Sequence, residues 1–131
     1  MGMYTELVMA TKVKNVPEVI EVLKYMTDPG VPVMPILPDH PLFRTSRWTS
    51  LFQCCSYYFV PTTVAKLEFD EIGNYWCLIT RADLKNYSGE IELFIDWIRP
   101  HLDAHGDEMI GYSRYEETRE PTIYYGQDDP V

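Results

Sequence analysis

The chain is predicted to be an α+β protein: a mostly antiparallel sheet of about six strands, with two main helices packed on one face and a proline-rich strap. Three observations predict this. Apolar and polar residues alternate through Met3 to Lys14 and again through Thr63 to Ile72. Gly73-Asn74 stands between two such runs, the mark of a tight hairpin. Two further stretches, after Asn15 and after Ser88, place their apolar residues at helical spacing instead.

Composition narrows the class. With 131 residues, one domain is expected to cover 1–131, ending in a loose tail from Gln127 to Val131. Apolar residues make up 46% and charged residues 24%, which excludes a disordered chain. No apolar run approaches the ~18 residues needed to span a bilayer, and no basic segment precedes an apolar one at the start. Three cysteines, two of them adjacent, make no disulfide framework, so a reducing cytoplasm is the expected compartment. The net charge of −9 opposes any general affinity for nucleic acid, whose phosphates it would repel. Ten tyrosines suit half-buried strand positions or a contact surface.

In the first strand Met3, Leu7, Met9 and Val13 point one way and Tyr4, Glu6, Lys12 and Lys14 mostly the other. Asn15 then reads as a helix N-cap, with Pro17 in the first turn and Glu18 closing a capping box. The helix buries Val16, Val19, Ile20, Leu23 and Met26, and Asp28-Pro29-Gly30 stops it.

Proline then recurs at Pro29, Pro32, Pro35, Pro38 and Pro41. Polyproline II has about three residues per turn, so this spacing puts the rings on one edge, Val33 and Ile36 on a second, and Val31, Met34 and Leu37 on the third. The apolar residues between the prolines favour a strap lying on the protein's own core. The other reading is a ligand for an aromatic groove on a partner.

Thr45 or Ser46 caps a short helix presenting Trp48, Leu51, Phe52 and Cys55 on one side, a strand being the competing reading. Ser56 to Val60, Thr63 to Ile72 and Tyr75 to Leu84 follow as strands. A two-residue turn would set Ile72 opposite Tyr75 and Phe69 opposite Leu78. The last of these strands is apolar on both sides, with Trp76 and Leu78 on one and Tyr75, Cys77 and Ile79 on the other. The second side needs a cover, and Tyr75, Cys77 and Ile79 are therefore a candidate interaction surface. Gly89 to Leu102 is the most apolar helix, with Ile91, Phe94, Ile95, Ile98 and Leu102 in its stripe and Leu93 and Trp97 widening it. Met109 to Glu116 and Thr122 to Gly126 complete the strands.

Signatures of chemistry are sparse. The chain has no glycine-rich phosphate loop, no G-x-S-x-G, no H-E-x-x-H and no C-x-x-C, and no cofactor is implied. Cys54 and Cys55 lack a recognisable base, Cys77 reads as a packed strand residue, His40 has no accompanying nucleophile, and Glu116-Glu117 point to opposite faces. Two ligand sites deserve naming. Arg44 and Arg47 beside a helix N-terminus are candidates for an anion, the alternative being pairing with carboxylates of the same chain. His101 and His105 fall on one side of a helix running past Pro100, a candidate metal pair with Asp103 as a third ligand. The alternative is a solvated helix end capped by Gly106.

Taken together, Met1-Gly2-Met3-Tyr4-Thr5-Glu6, Leu37-Pro38-Asp39-His40-Pro41-Leu42-Phe43, Ser56-Tyr57-Tyr58-Phe59 and Glu120-Pro121-Thr122 resemble a family of small proteins of uncharacterised activity carried by bacteriophages and prophages. The likeness runs from the first strand to Tyr125, and none of its motifs is tied to a known reaction. It implies a bacterial cytoplasm during infection or lysogeny. The expectation is a non-enzymatic, acidic accessory protein that acts by binding a protein partner, such as a host factor it would inhibit; a homo-oligomer is compatible with the same reading. The alternative is a small-ligand or metal protein using Arg44 and Arg47 or His101 and His105.

Overall fold

The longest alternating run becomes the spine of the sheet. In the structure, a computed structural model that describes residues 3–128, β1 (Thr5–Lys14) lies at the centre. It runs antiparallel to β3 (Tyr75–Leu84) on one side and to β4 (Met109–Tyr115) on the other. β2 (Val64–Asp70) and β5 (Thr122–Tyr125) form the two edges, giving the order β2-β3-β1-β4-β5. Register fixes the faces. Leu7, Met9 and Val13 share one side with Leu67, Leu78, Ala82, Leu84, Ser113 and Tyr124. Glu6, Val8, Lys12, Cys77, Ile79, Arg81, Asp83 and Arg114 share the other.

The sheet therefore has five strands, and the expected strand Ser56 to Val60 is irregular. Its backbone is anchored differently: Asp83 N–H donates to Cys54 O at 3.0 Å, and the Arg81 guanidinium donates to the carbonyls of Val60 and Thr62. One backbone N–H and one guanidinium thus take the place of a ladder.

The β2–β3 hairpin also differs from the sequence reading. Asp70, not Ile72, faces Tyr75, and Leu67 faces Leu78, so the turn holds four residues. Asp70 ends the strand early because its Oδ1 accepts the N–H groups of Ile72 (3.0 Å) and Gly73 (3.2 Å). Asn74 supplies the left-handed residue, with φ 55°. The shift is an even number of residues, so every side chain keeps its face.

α1 (Pro17–Thr27) begins with proline in its first turn, but Val16 and not Asn15 occupies the cap position, and no capping box forms. The Asn15 amide serves elsewhere: it donates to Asn74 Oδ1 (3.1 Å) and accepts from Trp76 Nε1 (3.0 Å), tying the start of the helix to the hairpin. Val19, Ile20, Leu23 and Met26 are buried, joined by Val22, while Val16 is half-buried.

α2 (Glu90–Ile98) follows Gly89, whose φ of 67° is the left-handed conformation that glycine tolerates. Asn86 Oδ1 accepts the Ile91 N–H at 2.9 Å, satisfying a donor in the first turn, and Glu90 Oε1 accepts that of Ser88, just before the helix, at 2.7 Å. The helix is shorter than expected. Pro100 has no N–H to continue it, and a 3₁₀ turn, Arg99–His101, intervenes. Leu102 is then extended and bridges Val13, and Asp103 N–H donates to Lys12 O.

The short helix expected after Thr45 is absent. Two 3₁₀ turns stand there, Pro41–Arg44 and Trp48–Ser50. Trp48, Leu51 and Phe52 still reach the core, whereas Cys55 is exposed. Ring packing replaces helical regularity: Phe43 meets Trp48 and Trp97 edge-on, at 5.0 and 5.1 Å between centroids, and Phe52 meets Phe94 at 5.1 Å. These rings belong to one hydrophobic cluster that joins the buried residues of α1 and α2 to Leu7, Met9, Val13, Leu78 and Leu84.

Candidate interaction surface

The proline segment leaves α1 and returns to the core at Leu37, Leu42 and Phe43. Its periodicity predicts three edges, and exposure separates them. Val31, Pro35 and Leu37 are half-buried, whereas Val33 is 73% and Ile36 94% exposed. Met34, expected on the edge with Val31 and Leu37, is exposed as well. The arm is thus held on one side and displays aliphatic side chains on the other. Pro35, Ile36, Leu37 and Pro38 face Pro17, Glu18 and Glu21 of α1 across a groove of about 470 Å³. Its lining is mostly apolar, with the side chains of Glu18 and Glu21 among it. At the far end His40 is fixed by accepting from Leu42 N–H and by contacting Asp96 at 2.9 Å.

Among the described residues, the sheet side opposite Leu7, Met9 and Val13 is covered at one end. There Tyr58 OH donates to Glu116 O, and Arg114 lies over the Phe59 ring at 4.9 Å. Beneath this crossing Glu6 is buried and bridges two arginines, Arg81 at 2.8 Å and Arg114 at 2.9 Å, while Asp83 is fully buried 3.0 Å from Arg81. Each buried charge has an opposite partner, so the arrangement is a fastening for the loop. Beyond it Tyr75 and Cys77 are half-buried and Ile79 is 45% exposed. Cys77 and Ile79 line a depression of about 270 Å³ with Ala10, Lys12 and Asp103. Tyr75 is set apart under Lys12, whose Nζ lies 5.0 Å from the ring centre.

The two arginines proposed for an anion have separate partners. Arg44 pairs with Asp39 at 2.7 Å on the surface. Arg47 donates to Lys85 O at 3.4 Å and lies over the Tyr87 ring. It lines a cleft of about 370 Å³ with Lys85, Tyr4, Gln53, Cys54 and Cys55. Neither arginine stands at an α-helix N-terminus.

The histidines lose the helix that would have aligned them. His101 is in the 3₁₀ turn against Trp97, 6.1 Å between ring centres, and burial followed by the charge of Lys14 lowers its pKa. His105 is exposed 3.8 Å from Asp128, and Asp103 lies in the sheet-side depression. Among the described residues no group of three His, Cys, Asp or Glu side chains is arranged to hold a metal ion.

A larger cleft, of about 530 Å³, opens where the start of α2 leaves the sheet uncovered. Thr5, Asn86, Tyr87, Glu92, Ser113, Tyr115, Thr118, Glu120 and Thr122 line most of it. Beside it Ser113 Oγ and Tyr124 OH share a hydrogen bond of 2.7 Å, and burial raises the Tyr124 pKa. Among the described residues its lining offers hydroxyls and carboxylates but no histidine, cysteine, lysine or arginine. Among the described residues no helix is long and apolar enough to cross a membrane. Sequence reasoning missed this cleft and the Glu6 bridge because both join residues distant in the chain. Comparison with family models, with curated proteins and with solved structures finds no match to this chain.

Proposed function

We propose that the protein works by binding another protein on its proline arm, and that it is not a catalyst. One observation carries the reading: Val33 and Ile36, three residues apart, present aliphatic side chains to solvent from a segment anchored behind them. An extended proline-rich segment is already close to its bound conformation and loses little entropy on docking. The matching partner has an apolar, aromatic-lined groove with basic residues at its margin, facing Glu18 and Glu21. The setting implied by the family resemblance is a bacterial cytoplasm during phage infection, with a host factor, such as a defence complex, as the protein that is bound and blocked.

The test is recovery of a stoichiometric partner from a bacterial lysate by the wild-type chain, and its loss with V33D/I36D at an unchanged melting temperature. Exposed substitutions of this kind shift stability by only about 0.5 kcal/mol. Recovery of no stoichiometric partner, or equal recovery by the variant, overturns the proposal.

The cleft bearing Arg47 and Lys85 favours a second reading, a small anionic ligand. Phosphate or a nucleotide would then raise the melting temperature of the wild-type chain but not of R47A. No shift with either would remove that reading.

A further inference from the structure

The two edges of the sheet are not equivalent. β5 has four residues, faces a bulge between Met109 and Gly111, and its Tyr125 carbonyl accepts from Arg99 Nε at 3.1 Å. Such features protect an edge. β2 has seven residues, no proline and an unbroken register with β3. Among the described residues none from Val64 to Phe69 makes a backbone hydrogen bond outside the β2–β3 ladder. A regular strand with one open row of N–H and C=O groups is a template for another strand.

The side chains specify which strand. Lys66 and Glu68 point to the same face, are both exposed, and make no ion pair among the described residues; on β3 they lie opposite Ile79 and Cys77. We infer that β2 pairs antiparallel with β2 of a second copy of this chain, about a two-fold axis through Leu67. In that register Lys66 of each copy faces Glu68 of the other, forming two opposite-charge cross-strand pairs. Leu67 meets Leu67. Phe69, which is 41% exposed and stacks at one edge on Trp76 (5.1 Å), meets the small Ala65. The sequence Val64-Ala65-Lys66-Leu67-Glu68-Phe69-Asp70 is self-complementary in charge and in size about its central residue. A two-fold interface requires that property. The product is one sheet of twice the strand number, joined at its unprotected edge. It needs no residue of the proline arm.

Sedimentation of the full chain from about 1 to 200 µM, a range suited to a small interface, tests this. The wild-type chain is expected to sediment as a dimer in the upper part of that range. K66E and E68K alone each replace two attractive pairs by two repulsive ones and raise the dissociation constant by about tenfold or more. The double reversal K66E/E68K restores the dimer. An equimolar mixture of K66E and E68K forms a heterodimer, because every cross-strand pair in it is again of opposite sign. Unchanged thermal unfolding of the variants at dilution, where all chains are monomeric, confirms that only association has changed. A monomeric wild-type chain throughout the range overturns the inference, and so does a double reversal as weak as either single one.

Discussion

Single residues settle where this chain is fastened. Glu6 was one of several polar residues on the outward side of the first strand, and nothing in its local sequence distinguishes it. Its position opposite Asp83 and Arg114 makes it the bridge between Arg81 and Arg114 under the Tyr58-Phe59 crossing. Removing its charge leaves the mostly buried Arg81 guanidinium with Asp83 alone and takes the partner from Arg114, whose side chain is half-exposed. E6Q is expected to lower unfolding free energy by about 2–4 kcal/mol, measured by urea denaturation. A loss below about 1 kcal/mol would mean that water already screens the bridge. His101 gives a pH-dependent counterpart. Burial and Lys14 hold its folded pKa below the ordinary 6.5, so the unfolded chain takes up the proton more readily. The contribution to stability is whole above about pH 6.5 and is lost as pH falls from there through the lower folded value. H101Q is expected to show a flatter stability profile across this window than the wild-type chain. Parallel profiles would rule out the histidine as the source.

At the level of elements, strands and helices were legible where the periodic pattern was long, and failed where a side chain bonded backbone across the fold. β1, β2 and both long helices follow from alternation and helical spacing, because burying one side is how such sequences leave water, while β3 follows from an apolar run bounded by turn residues. The strand expected at Ser56 to Val60 fails for a specific reason. Arg81, about twenty residues away, supplies the donors that hold Val60 and Thr62, so no partner strand is needed. Asn15 shows the same effect at smaller cost. Its cap signature is sound, yet Trp76 and Asn74 compete for the amide and win. Asn86 does at α2 what Asn15 was expected to do at α1, bonding Ile91 N–H and the Glu92 carboxylate from outside the helix. N86A is therefore expected to cost about 1–2 kcal/mol, read from thermal unfolding, whereas N15A acts through the hairpin and leaves the helical signal of α1 intact.

Across the whole molecule, the irregular stretch from Pro41 to Cys55 joins the layers. Phe43, Trp48 and Phe52 carry it onto Trp97 and Phe94, so the proline arm is held by rings at its return and by α1 at its start. F52A is expected to destabilise the protein by about 3–5 kcal/mol, measured by urea unfolding, although Phe52 lies in no regular element. A change below about 1.5 kcal/mol would show that the stretch packs loosely. The sequence by itself determined the α+β class, the faces of the strands and the buried stripes of both helices, since these depend on the spacing of apolar residues along a short run. The tertiary structure alone decided the order of the strands, the ionic bridge at Glu6, the outward edge of the proline arm and the open edge at β2. Each of these depends on which distant segments meet, and local spacing carries no record of that.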